Sequence, residues 1–223
     1  MKLANPQWVN TLEWDSCHPG ELCLEDPEEY RMVTADLTAQ EEGEEGELVF
    51  SEDGKICSLQ KEGILIRDLW NIDVNQKKLL TGVTKQLSAI AQEEYYGESI
   101  KILDRIGSLL EDLIRDAMLP VEWDLPTDLI PVMKAFGVRL ESSEDPFERL
   151  VDYVRLCREY LHTRFLVLIG VRSFLSQEEC CCLCRDLSAA GIPVLFVEPV
   201  SRPLPENGSR LLVDRDHCEL RYP

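Results

Sequence analysis

Five consecutive apolar residues, Phe165-Leu166-Val167-Leu168-Ile169, constrain this chain more than any other stretch. A strand with one face in water alternates apolar and polar side chains. One that is apolar throughout is covered on both faces, as strands of a parallel sheet are. Downstream, Ser176-Gln177-Glu178-Glu179 has the spacing of a capping box that opens a helix, and Gly191 suits its end. Pro193-Val194-Leu195-Phe196-Val197 then supplies a second buried strand. Strand, helix and strand in this order join through a right-handed crossover, so the fold class is α/β with a mostly parallel sheet.

The rest of the chain fits around that unit. Gly20 to Glu25 alternates apolar and polar residues, as a short strand does. Asp26-Pro27-Glu28-Glu29 offers an N-cap, a proline at the first helical position and two early acids for a helix to about Gln40. Glu41 to Glu47 is a charged loop; Leu48 to Phe50 and Lys55 to Cys57 flank Asp53-Gly54, a hairpin turn signal. Gly63 to Ile66 reads as another strand. From Asn75 to Met118 the period changes. Leu80, Val83, Leu87 and Ile90, then Ile100, Leu103, Ile106, Leu110 and Leu113, recur at spacings of three and four, with Tyr95-Tyr96-Gly97 between the runs. These predict two amphipathic helices in an antiparallel hairpin, each burying its stripe against the other, as an arm projecting from the body. Thr127 to Phe136 reads as a short helix and Val138-Arg139-Leu140 as a brief strand. Asp145-Pro146-Phe147-Glu148 opens a helix whose Leu150, Val154, Cys157 and Leu161 face inward. The expected organisation is a head of residues 1–74 and 119–223 and a helical arm of 75–118. At 223 residues and 44% hydrophobic, the chain can fill such a core.

No catalytic motif is complete. A mononucleotide fold carries G-x-x-x-x-G-K-[ST] at its first strand-to-helix turn. Here that turn is Glu25-Asp26-Pro27-Glu28, where phosphate would meet carboxylate, so no nucleotide site is expected. The run Cys180-Cys181-Cys182 with Cys184 lacks the two separated pairs of a structural zinc site. Cys180 and Cys184 fall on the buried helix face beside Leu183 and Leu187, as packed thiols do. His18, His162 and His217 are unclustered. Glu122, Asp124 and Asp128 gather just past the second arm helix, with Glu141 further on; such oxygen donors can hold calcium in an irregular cage, or stay as solvated surface. Lys77, Lys85 and Thr81 share one helical face, with Lys78 adjacent, and Lys101 and Arg105 lie one turn apart on the second arm helix. A solvated helix surface explains them equally well, although oligomerisation could assemble them into one basic surface.

The formal charge of −19 makes indiscriminate binding to polyanions unfavourable, and residues 1–60 supply −12 of it (15 acids against Lys2, Arg31 and Lys55). The start shows no secretory h-region, no apolar run reaches the length of a membrane span, and nine cysteines suit reduced thiols. A cytoplasmic location without membrane attachment is expected.

Several stretches in order carry a resemblance. They are Gly20 to Asp26, Ile64-Leu65-Ile66-Arg67-Asp68 leading to Ile72-Asp73-Val74-Asn75, and Phe136-Gly137-Val138-Arg139-Leu140-Glu141. Phe165 to Ile169, Ser173 to Glu179, and Val194-Leu195-Phe196-Val197-Glu198-Pro199 complete the set. Together they resemble the Csn-two family of type II-A CRISPR-associated adaptation proteins, in its compact subfamily. The resemblance implies a P-loop-ATPase-like head without a nucleotide site and a helical leg. It also implies a ring-shaped homotetramer that binds calcium and holds double-stranded DNA ends in a lysine-lined hole. Its partners would be the CRISPR integrase and the type II effector nuclease, during spacer acquisition. Acidic and backbone groups near the head–leg junction would be the calcium ligands. The expected function is a non-enzymatic, calcium-dependent DNA-end-binding ring. The alternatives are a carboxylate-metal nuclease, which would cleave DNA with magnesium or manganese, and a degenerate ATPase-like adaptor that binds only proteins.

Overall fold

The computed structural model describes residues 1–118 and 120–222. The chain forms two compact units, Met1–Val74 with Ser142–Pro223, and Asn75–Glu141, so residues 120–141 group with the two long helices.

The first unit begins with short strands β1 (Lys2–Ala4) and β2 (Leu12–Glu13). Strand β3 (Gly20–Leu24) leads into helix α1 (Pro27–Glu42). The hairpin β4 (Val49–Glu52) and β5 (Lys55–Cys57), helix α2 (Leu59–Glu62) and strand β6 (Gly63–Ile66) follow. The second unit contains α3 (Lys77–Glu94), α4 (Tyr96–Ala117) and α5 (Ile130–Ala135). The chain then returns to the first unit with α6 (Pro146–Leu161), β7 (Phe165–Ile169), a 3-10 turn (Val171–Phe174) and α7 (Gln177–Ala189). It finishes with β8 (Val194–Glu198), β9 (Ser209–Val213) and β10 (Glu219–Tyr222).

Six strands make the main sheet in the order β10-β9-β3-β8-β7-β6. All neighbours pair in parallel except β10, which runs antiparallel on β9. The first strand thus lies between the last two parallel ones. Leu22, Leu24, Leu65, Val167, Leu195, Val197 and Leu211 point to one face, where α1 lays down Val33 and Leu37. A second, antiparallel sheet of order β2-β1-β4-β5 packs into the same core, with Phe50 stacked 5.0 Å from Phe165. The alternate residues, among them Leu166, Leu168 and Phe196, face the other way and are equally buried, against Leu150, Val154, Leu183 and Leu187 of α6 and α7. Coverage on both faces is why these strands read as apolar throughout. Cys180 and Cys184 are buried on α7 while Cys182 is exposed, as the periodicity predicts.

The alternation in β3 has another cause than a solvated face, since all five of its residues are buried. Glu21, 1% exposed, accepts from Arg172 with one oxygen and from Arg210 Nε at 2.6 Å with the other. Arg172 also donates to the Pro203 carbonyl; Arg210 donates to Ser201 Oγ at 2.8 Å and to the Arg202 carbonyl. One buried carboxylate therefore holds two guanidiniums, and they hold the loop between β8 and β9. At the end of β8, Glu198 Oε1 accepts the Arg172 backbone N–H at 2.9 Å, whereas its other oxygen has no partner among the described residues.

Burial pushes the Glu198 carboxyl up from 4.5 to about 7, and the negative charge of Glu21 adds to the shift. The folded state therefore binds an extra proton between pH 4.5 and 7, and the associated stability, fully present below pH 4.5, is lost as pH rises through 7. Glu198→Gln keeps the acceptor for Arg172 and removes the titration. Its melting temperature should exceed the parent's at pH 8 by several degrees, on the order of 2 kcal/mol, and the gain should vanish near pH 4.5. A pH-independent difference in calorimetric melting temperature would refute this.

In the second unit, α3 and α4 are linked by Tyr95 alone and turn back tightly enough for Ser99 Oγ to reach the Ala91 carbonyl at 3.5 Å. On α3 the packed face lies beside the one that the apolar stripe predicts, whereas on α4 it includes Leu103 of the predicted stripe. Thr84, Ser88 and Ala91 are buried on α3, and Ser99, Leu103 and Gly107 on α4. Leu87, Ile90, Ile100, Ile106, Leu110 and Leu113 of the predicted stripes are exposed, Leu113 by 55%. Small residues allow close backbone approach; Leu79 and Leu103 stay buried, while most of the other large side chains lie at the flank. Two further expectations are corrected. The helix expected over 127–136 is confined to Ile130–Ala135 by Pro131 in its first turn. Residues 138–140 form no strand: the Asn75 side chain takes both polar backbone groups of Leu140, at 2.8 and 3.1 Å, in place of a sheet partner.

Candidate nucleic-acid interface

Helix α3 opens with Lys77 and Lys78 in its first turn, with no acid there and no side-chain hydrogen bond capping it. Cations at this end oppose the helix dipole and cost about 0.3–1 kcal/mol each. The first backbone N–H groups of a helix have no intrahelical partner, and two lysines stand beside them here, an arrangement that favours an anion. Lys85 continues the line two turns on, and Lys101 and Arg105 stand on α4; all five are exposed. Among the described residues none of the five pairs with a carboxylate, unlike Arg115, which is 2.7 Å from Asp112. The structure therefore places all five basic candidates on the surface of one helical unit.

The four acidic candidates belong to the same unit. Trp123 packs on α4 so closely that a side chain at Gly107 would meet its ring at 2.9 Å, and Leu125 adds a second contact. These anchors leave Glu122 and Asp124 exposed. Asp128 accepts the Ile130 backbone N–H at 2.8 Å and starts α5. Glu141 is exposed beside Leu140, itself clasped by Asn75. The donors are hard oxygens of the kind calcium takes. As arranged in the single chain they do not form a cage: among the described residues no three His, Cys, Asp or Glu side chains gather closely enough to hold a metal ion.

The turn from β3 to α1 is where a doubly wound sheet offers its ligand crevice. Asp26 closes it: its Oδ1 accepts from the backbone N–H groups of Glu28 at 2.8 Å and Glu29 at 2.9 Å. Those amides are the ones that would otherwise face an anion, and they hold the Asp26 carboxyl below its usual range, the Glu29 N–H most of all. Beside it lies a cavity of about 430 Å³ lined by Asp26, Glu28 and Glu29 with Trp8 and His217. Glu29 takes the Trp8 indole N–H at 3.0 Å and lies 3.3 Å from His217 Nδ1. The carboxylate lining disfavours phosphate.

Two features escape a sequence reading. The Glu21–Arg172–Arg210 cluster joins residues far apart in the chain, its one local sign being a charge within an otherwise apolar strand. The outward apolar flank of the hairpin is foreshadowed by the spacing of Thr84, Ser88 and Ala91, small residues one helical face away from the stripe. Among the described residues no helix is long and apolar enough to cross a membrane.

Comparison with known proteins matches residues 40–217 to the family model described as CRISPR-associated protein (Cas_Csn2). The CRISPR-associated protein Csn2 of Streptococcus agalactiae is 25% identical over 142 residues, covering 62% of this chain and 63% of that protein. The CRISPR-associated protein Csn2 of Enterococcus faecalis is 24% identical over 165 residues, covering 68% of this chain and 74% of that protein. The chain thus spans just under two thirds of the streptococcal relative's length.

Proposed function

The chain belongs to the CRISPR-associated Csn2 family, and from that premise we propose that it is a non-enzymatic, calcium-dependent ring protein that holds double-stranded DNA ends during spacer acquisition. The observation that carries this reading is the electropositive start of α3, where Lys77 and Lys78 stand unpaired at a helix end they destabilise. Stability given up at that position is recovered when phosphate binds. Lys85, Lys101 and Arg105 extend the phosphate contacts, which give affinity without reading sequence. The first unit serves as a P-loop-ATPase-like head whose nucleotide crevice Asp26 fills, and the second as the helical arm. Four copies close the ring in the cytoplasm, where it works with the CRISPR integrase and the type II effector nuclease.

The exposed flank of Leu87, Ile90, Ile106 and Leu110 supports assembly, because contiguous apolar surface of this kind marks contact sites. Calcium is held by Glu122, Asp124, Asp128 and Glu141, drawn together as the homotetramer forms. Light scattering should therefore give the molar mass of a tetramer with calcium and a smaller species with chelator. A monomer under both conditions would sink the calcium-linked assembly.

Threading requires ends. Linear duplex should compete for binding far better than covalently closed circular duplex of the same sequence, without cleavage of either in magnesium or manganese. Equal competition by the two forms would remove the ring mechanism, and cleavage would make the protein a nuclease instead.

A further inference from the structure

In the first unit a groove of about 560 Å³ runs between α6 and α7. Each helix precedes a strand of the same parallel set, so their first turns lie side by side. The α7 wall carries Glu179, Leu183 and Asp186, which are the i, i+4 and i+7 positions of one helical face. The α6 wall repeats the pattern with Glu148, Val151 and Asp152 below the capping Asp145. Leu183 and Val151 are buried and form an apolar floor, while the acids on the rim are exposed.

Five carboxylates face this groove and only one guanidinium, Arg155, which stands 3.9 Å from Asp152. Asp145 and Glu179 have local work, since each caps its own helix. Asp152 and Asp186 cap nothing, and their like charges oppose one another across the groove. Among the described residues no trio of acids is close enough to take a metal ion there. A second copy of this chain, itself at −19, is repelled by such a surface.

We propose that this groove docks a basic amphipathic helix of a partner protein, with lysine or arginine at positions i and i+7 and an apolar residue at i+3 or i+4. Seven residues of helix span about 10.5 Å, the distance along α7 between Glu179 and Asp186, so both basic groups meet a carboxylate while the apolar residue settles on Leu183 and Val151. The apolar contact supplies affinity, and the charge-assisted bonds fix register and polarity. This surface belongs to the first unit and is independent of the DNA reading, which uses α3 and α4.

A fluorescein-labelled synthetic helix with arginine at i and i+7 and leucine at i+3 and i+4 tests the idea by anisotropy on the full chain. Binding should be micromolar, and Asp152→Lys with Asp186→Lys should weaken it about tenfold or more. A second peptide with both leucines changed to serine should lose as much. Both substituted sites are exposed, so the melting temperature of the double variant should stay at the parent's value. Equal binding of the serine peptide would mean only long-range attraction to an acidic chain and would overturn the proposal. So would undiminished binding by the double variant, or no binding at about 1 mM peptide. A change in the double variant's molar mass by light scattering would assign the groove to contact between copies, and would overturn it too.

Discussion

Glu21→Ala should lower the stability of the fold by about 3–5 kcal/mol, the effect of removing one member of a buried charge cluster. Arg172 and Arg210, at 2% and 8% exposure, would be left facing each other with no carboxylate between them. Their remaining side-chain hydrogen-bond partners are the Ser201 hydroxyl, the Gln177 side-chain oxygen and the carbonyls of Arg202 and Pro203, which accept hydrogen bonds but carry no charge. The strain would be released by letting the loop between β8 and β9 open to water. Urea unfolding gives the free energy directly, and the melting temperature should fall by roughly 6–20 °C for a chain of this size. The cluster specifies geometry more than it adds stability. Replacing all three charges by Glu21→Leu, Arg172→Met and Arg210→Met should therefore recover most of the loss. A loss under about 1 kcal/mol for the single variant would show that water reaches the cluster in the native state.

Reversing the charges at the start of α3, with Lys77→Glu, Lys78→Glu and Lys85→Glu together, should abolish DNA binding at physiological salt while leaving the fold intact or slightly firmer. Each lysine that contacts a phosphate contributes close to 0.9 to the log–log salt slope, so the slope should flatten by up to about 2.7 for every chain on the duplex. Acids at 77 and 78 complement the helix dipole that the lysines oppose, and add about 0.3–1 kcal/mol apiece. Lost binding and a raised melting temperature should thus appear in the same protein, a combination that misfolding cannot produce. Unchanged gel shifts would move the interface elsewhere on the molecule.

The head was legible where local chemistry decided the outcome. Asp26, Asp145 and Ser176 each cap the helix that their spacing announces, and the strands covered on both faces betray themselves by lacking polar positions. Pairwise geometry was harder to read. Leu87, Ile106 and Leu113 have the period of a buried stripe, yet period gives only the direction of a face and not what covers it. The short strand β2 pairs only with β1, and β1 with β4, and neither carries much pattern of its own. Leu140 resembles a strand residue because its backbone groups are satisfied, but by an amide side chain 65 positions away. The basic candidates could be placed on exposed helix faces from spacing alone. The closeness of Glu122, Asp124, Asp128 and Glu141 to one another depends on how loops fold back, and no sequence interval encodes that.

The position of β3 governs when the protein can exist at all. Its neighbours are β8 and β9, and Glu21 meets Arg210 across 189 residues of chain. At about 5–20 residues per second, a ribosome needs roughly 10–40 s to deliver Arg210 after Glu21 has emerged. For most of that interval the apolar strand and its lone carboxylate have neither flank to pair with, since β8 itself ends only at Glu198. Assembly of the sheet is deferred until the last tenth of the chain is made, and the nascent N-terminal segment must be kept in solution meanwhile. The acids that crowd residues 21–47 are the charge available to do so.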